Sequence, residues 1–236
     1  GAGERDATWQ FIQPDDGNPL DRSLAQIALP EPVGPRGKVA LIIEFEGKLP
    51  VPMARTGGRL DFFVLAQWYP KIGVIEPAGV RGATRARVAA RQFHSLTEFY
   101  ADFADYDVTL TVPDGWLVGG TGRAVGQPTA DGSGQMAHRY RQASVHDAAY
   151  VVGRSLRDAW RRVTPEGGGP AVDVRWIVPA GTEHQIDSLH EALVAAMNEM
   201  GRRVGPYPYD VLTVATVPWW AGETAGMEYP TFFTGS

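Results

Sequence analysis

TEHQIDSLHEALVAAMNEMGRR, residues 182–203, is the one stretch of this sequence with sustained helical spacing. Ile186, Leu189, Leu193, Ala196, Met197 and Met200 recur every three or four residues and predict one apolar stripe along an α-helix. Thr182 followed by Gln185 has the form of a capping box, and Gly205-Pro206 stops the pattern. A helix with one apolar stripe must bury it, so a sheet is expected to cover it. The flanking apolar runs Val172 to Val178 and Tyr209 to Val217 predict strands of that sheet, and Met227 to Thr234 predicts another.

Towards the N-terminus the texture changes. Glycines (28) and prolines (18) are frequent enough in 236 residues to imply many turns, hence many short strands. Residues 8–12 and 24–29 predict strands around the turn Pro14-Asp15-Asp16-Gly17-Asn18. Val39 to Glu46 predicts a strand with Val39, Leu41, Ile43 and Phe45 on one face. Asp61 to Tyr69 is apolar almost throughout and predicts a strand buried on both faces, while Val80 to Ala90 reads as an exposed loop or short helix. Tyr106 to Val112 alternates strictly, and Pro113-Asp114-Gly115 predicts a hairpin turn into Trp116 to Gly119. His138 to Val145 reads as a strand, Ser155 to Val163 as a short helix, and Pro165 to Pro170 as a linker. The expected architecture is α+β but mainly β. A twisted, saddle-like antiparallel domain over residues 1–165 is followed, over 170–236, by a small sheet packed on one long helix.

Charge and composition exclude several functions. A net charge of -5 argues against a nucleic-acid platform, which needs a basic face. With no cysteine there is no disulfide, thiolate metal site or cysteine nucleophile. No run approaches the roughly 18 apolar residues of a membrane-spanning helix. No signal peptide opens the chain, and Gly1-Ala2-Gly3 reads as a cut end, which leaves the compartment unknown.

Metal and nucleophile signals are weak. A zinc peptidase helix needs histidines at i and i+4 with a glutamate beside the first. His190-Glu191 begins that pattern, but Val194 stands where the second histidine is required. His94 and Glu98 are spaced for a chelate or a charged hydrogen bond, and read as a structural pair. Asp102, Asp105 and Asp107 lack the spacing of a calcium loop and read as a solvated turn. Gly119-Gly120-Thr121-Gly122 lacks the lysine of a phosphate loop and reads as a turn. No serine sits in a Gly-x-Ser-x-Gly elbow. Trp219-Trp220 reads either as the wall of a binding cleft or as an interface.

Several motifs resemble one family in the right order. Gly226-Met227-Glu228-Tyr229-Pro230-Thr231 resembles the exopeptidase motif of M1 zinc aminopeptidases, in the Gly-Met-Glu-Tyr-Pro form of a bacterial branch. Tyr207-Pro208-Tyr209-Asp210 resembles the lead-in to it. Gln67-Trp68-Tyr69-Pro70-Lys71-Ile72-Gly73-Val74 and Phe93-His94-Ser95-Leu96-Thr97-Glu98-Phe99-Tyr100-Ala101-Asp102-Phe103, running on to Pro113, are similar to the same branch. His146-Asp147-Ala148-Ala149-Tyr150 resembles a His-Asp-Phe-Ala-Trp segment with its aromatics partly replaced.

The resemblance implies a peptidase fragment whose substrate is a peptide N-terminus. Glu228 matches the glutamate that binds the substrate's α-amine, with Gly226, Met227 and Tyr229 around it; Gln67 falls near a second amine-binding side chain. The family's His-Glu-x-x-His zinc motif would follow Ser236, so the resemblance implies no cofactor in this chain, zinc in the intact parent, and the remainder of the catalytic domain as a partner. Residues 1–165 would be the later part of the family's N-terminal β domain and 170–236 the start of its thermolysin-like catalytic domain. The alternatives are a non-catalytic peptide-binding or scaffold module of the same build, and an unrelated β-sandwich adhesion domain.

Overall fold

A computed structural model describes residues 5–94, 99–166 and 168–235. The fold is α+β and mainly β. In chain order the strands are β1 (Trp9–Phe11), β2 (Ala25–Ile27), β3 (Gly57–Arg59), β4 (Phe62–Leu65), β5 (Ile75–Glu76) and β6 (Arg87–Val88). They continue with β7 (Ala104–Pro113), β8 (Leu117–Gly120), β9 (Arg123–Ala124), β10 (Thr129–Ala130), β11 (Gln135–Val145) and β12 (Tyr150–Gly153). The last five are β13 (Leu156–Val163), β14 (Val172–Pro179), β15 (Val211–Thr216), β16 (Met227–Tyr229) and β17 (Phe232–Gly235); helix α1 (Ile186–Val204) lies between β14 and β15.

The chain divides into two compact units, residues 1–46 with 70–102, and residues 47–69 with 103–236. The smaller unit holds two short antiparallel pairs, β1–β2 and β5–β6. Its interior anchor is the fully buried Glu76, which accepts from Arg87 Nε at 3.1 Å and has Arg81 and Arg91 at 3.8 Å. A buried carboxylate without cations would be costly, so these arginines are what permit it. The predicted strand Val39 to Glu46 does not form: the segment has no regular secondary structure, and Val39, Leu41, Ile42, Ile43 and Phe45 are exposed. Alternation creates a strand only where another strand accepts its hydrogen bonds.

The larger unit is layered. One sheet has the order β10-β11-β7, with β9 also on β11; a second has the order β3-β4-β12-β8. Tyr140, Tyr150, Val152 and Val118 form the core associated with them, with Val108 and Leu110 packed against it. The third sheet has the order β13-β14-β15-β17-β16. Phe62, Val64 and Val151 from the second sheet meet Ile177, Ala215 and Phe232 from the third. On the other face of the third sheet, Val174, Trp176, Leu212 and Val214 receive Ile186 of α1. Sheets covered on both faces need near-continuous apolar strands, which is the pattern of Asp61 to Tyr69, Val172 to Val178 and Val211 to Val217.

Several expectations change. The turn at Pro113 to Gly115 is present, but β7 pairs with β11 and β8 pairs with β12, so no hairpin joins β7 to β8. The run Gly119-Gly120 is strand rather than turn. A Cβ at Gly119 would meet Ile177 Cδ1 at 2.1 Å, and one at Gly120 would meet the Ala149 carbonyl at 2.2 Å. Ser155 to Val163 holds strand β13 (Leu156–Val163), not a helix; the strand forms a full antiparallel register with β14 across the glycine-rich stretch after Pro165. Met227 to Thr234 is a hairpin, β16–β17, rather than one strand. Asp105 and Asp107 lie in β7, not in a turn: Asp107 bonds Arg139 and Arg141, which hold its carboxyl well below the usual range.

The long helix forms as its spacing predicts, but α1 is preceded by a 3-10 turn, Glu183–Gln185, and the capping box does not form. Thr182 Oγ1 donates to the Pro179 carbonyl instead, and Glu183 accepts from the Gly181 amide. Ile186 is fully buried; Leu189, Leu193, Val194 and Met197 are partly buried; Ala196 and Met200 are exposed. The true stripe therefore runs through Val194, one step around from the predicted edge. Among the described residues no helix is long and apolar enough to cross a membrane.

Candidate functional site

β16 is the outermost strand of the five-stranded sheet, so its outer backbone edge has no strand beyond it. The hairpin that presents it is pinned at both ends. Gly226 takes φ 68°, where glycine is favoured, and its amide donates to the Thr234 carbonyl at 2.7 Å. At the turn, Thr231 has φ 59°; its carbonyl accepts from Thr213 N at 2.9 Å and its Oγ1 from Gly122 N at 2.8 Å. Along β16 the side chains alternate. Met227 is half-buried and Tyr229 is buried, its ring stacked on Phe232 at 6.3 Å, whereas Glu228 between them is exposed.

Gln67 follows β4, with φ 54°. Its Nε2 donates to Asp147 Oδ2 at 2.5 Å. Asp147 is 3% exposed and also accepts from the Ala148 amide at 2.8 Å. The Tyr69 hydroxyl lies 3.1 Å from Asp147 Oδ1 and 2.9 Å from the Tyr106 hydroxyl, a chain satisfied when Tyr106 donates to Tyr69 and Tyr69 to Asp147. Burial, then the Tyr106 contact and the Asp147 charge, push the Tyr69 phenol far above its ordinary pKa. Trp68 Nε1 donates to the Ala148 carbonyl at 3.1 Å and steadies the same turn.

Arg55 and Gln67 both lie beside the Tyr229 hydroxyl. Burial raises that phenol's pKa and the Arg55 cation partly opposes the rise. The fold thus gathers Gln67 and Tyr229, two of the residues singled out in sequence, around Asp147. Glu228 stands on the opposite side of β16 from Tyr229. Sequence reading missed Asp147, Tyr69 and Arg55 as parts of this cluster. The first two sit inside segments that carry the resemblance, which was the available signal; nothing in the local sequence marks Arg55. Trp219 is 90% exposed, while Trp220 packs edge-on against Phe62 at 5.8 Å, so the pair does not form one wall.

The described residues do not fit a zinc ion. Among the described residues no three His, Cys, Asp or Glu side chains come together as a ligand set. His190 Nδ1 lies 3.3 Å from Trp176 Nε1, which donates to it, and burial holds its pKa down. Of the pair His94 and Glu98, Glu98 lies outside the described residues.

No family model matches the sequence, and no curated protein does. Solved structures do match in fold. Aminopeptidase A of Legionella pneumophila, in complex with aspartic acid, superposes with a TM-score of 0.55 at 15% identity, over 80% of this chain and 20% of that one. A mutant M1 zinc metallopeptidase from Deinococcus radiodurans bound to a Tyr-Ser-Ala substrate gives 0.54 at 19% identity, over 90% of this chain and 46% of that one. A two-domain M1 zinc metallopeptidase mutant bound to L-tryptophan gives 0.54 at 19% identity, over 91% and 46%. This chain spans less than half the length of these proteins and shares the fold of that part of M1 zinc metallopeptidases.

Proposed function

We propose that this chain is part of a zinc-dependent aminopeptidase of the M1 type, acting on peptide N-termini, and that Glu228 binds the substrate's α-ammonium. The observation that supports it most is the position of Glu228: an exposed carboxylate on the outermost strand of a sheet whose fold is shared with M1 metallopeptidases. A peptide laid along β16 can add to the sheet through its backbone, and Gly226 lets that backbone come close. A carboxylate at the end of such a track pairs with an ammonium and sets the register of the chain from its first residue. The resemblance offers Gln67 as a second amine-binding group, but it lies beside Tyr229, on the other side of β16 from Glu228; Glu228 alone carries the contact in this reading, and Met227 and Tyr229 support the strand from the core side.

Residues 1–165 then correspond to the later part of the N-terminal β domain and 170–236 to the start of the thermolysin-like domain. Strand β13 joins the sheet of the second part. Zinc and the activation of water would belong to the rest of the parent. The experiment is Glu228→Ala in the intact parent. The expected loss in kcat/KM is roughly a hundredfold or more, because the ammonium loses its charged partner and the amide its alignment, with zinc content unchanged. Unchanged turnover of amino-acid anilides would sink the proposal.

A further inference from the structure

A cleft of about 590 Å³ opens elsewhere in the larger unit, away from β16 in sequence and built from the start of β8, the turn before β10, and strands β11, β13 and β14. Its volume falls within the range of small-molecule sites. Trp116 and Trp160 line it; Trp160 is 50% exposed and Trp116 is tilted against Phe63 at 5.8 Å. Arg175 is held inside it, its Nε donating to Asp158 at 2.8 Å and its Nη1 to the Val118 carbonyl at 2.9 Å, with the guanidinium 5.7 Å from the Trp160 ring centre.

Two features are left over after these contacts. Arg154 and Arg157 line the cleft and neither forms an ion pair among the described residues; Arg157 Nη1 reaches only the Leu156 carbonyl. In a chain of net charge -5, a cleft carrying two uncompensated guanidinium groups is a local reversal of sign. Second, His138 lines the same cleft with its Nε2 buried and without a hydrogen-bond partner among the described residues. Buried polar atoms are nearly always satisfied, so an unsatisfied one at a cleft points to a group that binds there. Burial and the Arg175 charge keep the imidazole neutral, which leaves Nε2 able to donate to an anion or accept from a hydroxyl.

We propose that this cleft binds a small organic oxyanion carried on an aromatic body. Arg154 and Arg157 bind the oxyanion through charge-assisted hydrogen bonds. Trp160 and Trp116 supply flat apolar walls for the ring, and His138 satisfies its Nε2 on the ligand. This site is independent of the peptide edge at β16 and does not rest on the aminopeptidase reading.

The test uses the whole chain and follows the tryptophan indole N–H signals by NMR while phenyl phosphate is added, with benzoate, inorganic phosphate and benzyl alcohol as parallel titrations. Phenyl phosphate or benzoate should saturate, shifting the Trp116 and Trp160 signals, and whichever saturates at lower concentration identifies the oxyanion as phosphate or carboxylate. Inorganic phosphate and benzyl alcohol, lacking the ring or the charge, should bind at least tenfold more weakly. The double variant R154A/R157A changes two exposed side chains, so the fold should survive; it should weaken binding tenfold or more, while Arg202→Ala, on α1, should leave it unchanged. The proposal is overturned if neither aromatic anion saturates below about 10 mM, a Kd corresponding to under 3 kcal/mol. It is equally overturned if inorganic phosphate binds as tightly as the aromatic anions, or if R154A/R157A binds as the wild type does.

Discussion

Val39 to Glu46 and Ala104 to Pro113 alternate apolar and other residues in much the same way, yet only the second is a strand. In β7 every residue from Tyr106 to Pro113 has a partner on β11, and Tyr106, Val108, Leu110 and Val112 pack against Tyr140 and Tyr150. In the first segment Leu41 is 38% and Ile42 73% exposed, and among the described residues no strand pairs with it. The difference teaches that period-2 alternation states a capacity for half-burial. A neighbouring strand, and a core behind it, converts that capacity into structure, because isolated extended chain leaves its amides to water and gains nothing for the entropy it loses.

The largest effect expected from this contrast is in hydrogen exchange. Amides of β7 should exchange at least a thousandfold more slowly than those of residues 39–46, the factor that roughly 4 kcal/mol of opening free energy implies. Equal protection would mean that residues 39–46 are paired in solution. Next in size is the core itself. Phe232→Ala removes a fully buried ring and should cost about 3–5 kcal/mol in urea unfolding, whereas Ile42→Ala, in the exposed segment, should cost about 0.5 kcal/mol or less. Comparable losses at the two positions would erase the distinction drawn between them.

A smaller effect is expected where the helix meets the third sheet. Ile186→Ala should destabilise by roughly 2–4 kcal/mol, and Met200→Ala, half exposed, by about 0.5 kcal/mol or less. Comparable losses at the two positions would extend the buried stripe to Met200, as the spacing predicts. The smallest is a pH effect at His138. Its folded pKa is depressed below the ordinary value of 6.5, first by burial and then by Arg175. The neutral form is therefore the one the fold favours. Its contribution is present above pH 6.5 and is lost as pH falls through the folded value. His138→Gln should flatten that part of the stability profile; an unchanged slope between pH 7 and 5 would show that His138 does not contribute.

The candidate site was legible only in part. Glu228 and Gly226 stand out because a short motif places them, and Gln67 because its neighbours do. Asp147 went unrecognised because its importance lies in contacts with Gln67 and Tyr69, about 80 residues away in sequence. Arg55 reaches Tyr229 across a still longer separation.

By itself the sequence determined the long helix and its stop at Gly205, the strands over Tyr106 to Val112, His138 to Val145 and Val172 to Val178, and the mainly β class. Each of these is written in local spacing, which the backbone must satisfy wherever it lies. Tertiary structure alone decided that Ser155 to Val163 is a strand. Its apolar residues Leu156 and Val163 are buried in two different cores, Leu156 with Phe62 and Ile177 and Val163 with Val172 and Val174, while the arginines between them are exposed, and only the eight-residue register with β14 makes an extended chain better than a helix there. It also decided that Gly119-Gly120 is strand, since the reason for two glycines is the closeness of Ile177 and the Ala149 carbonyl. Propensity is a local quantity, but a strand's hydrogen bonds and a glycine's necessity are set by what arrives from elsewhere in the chain.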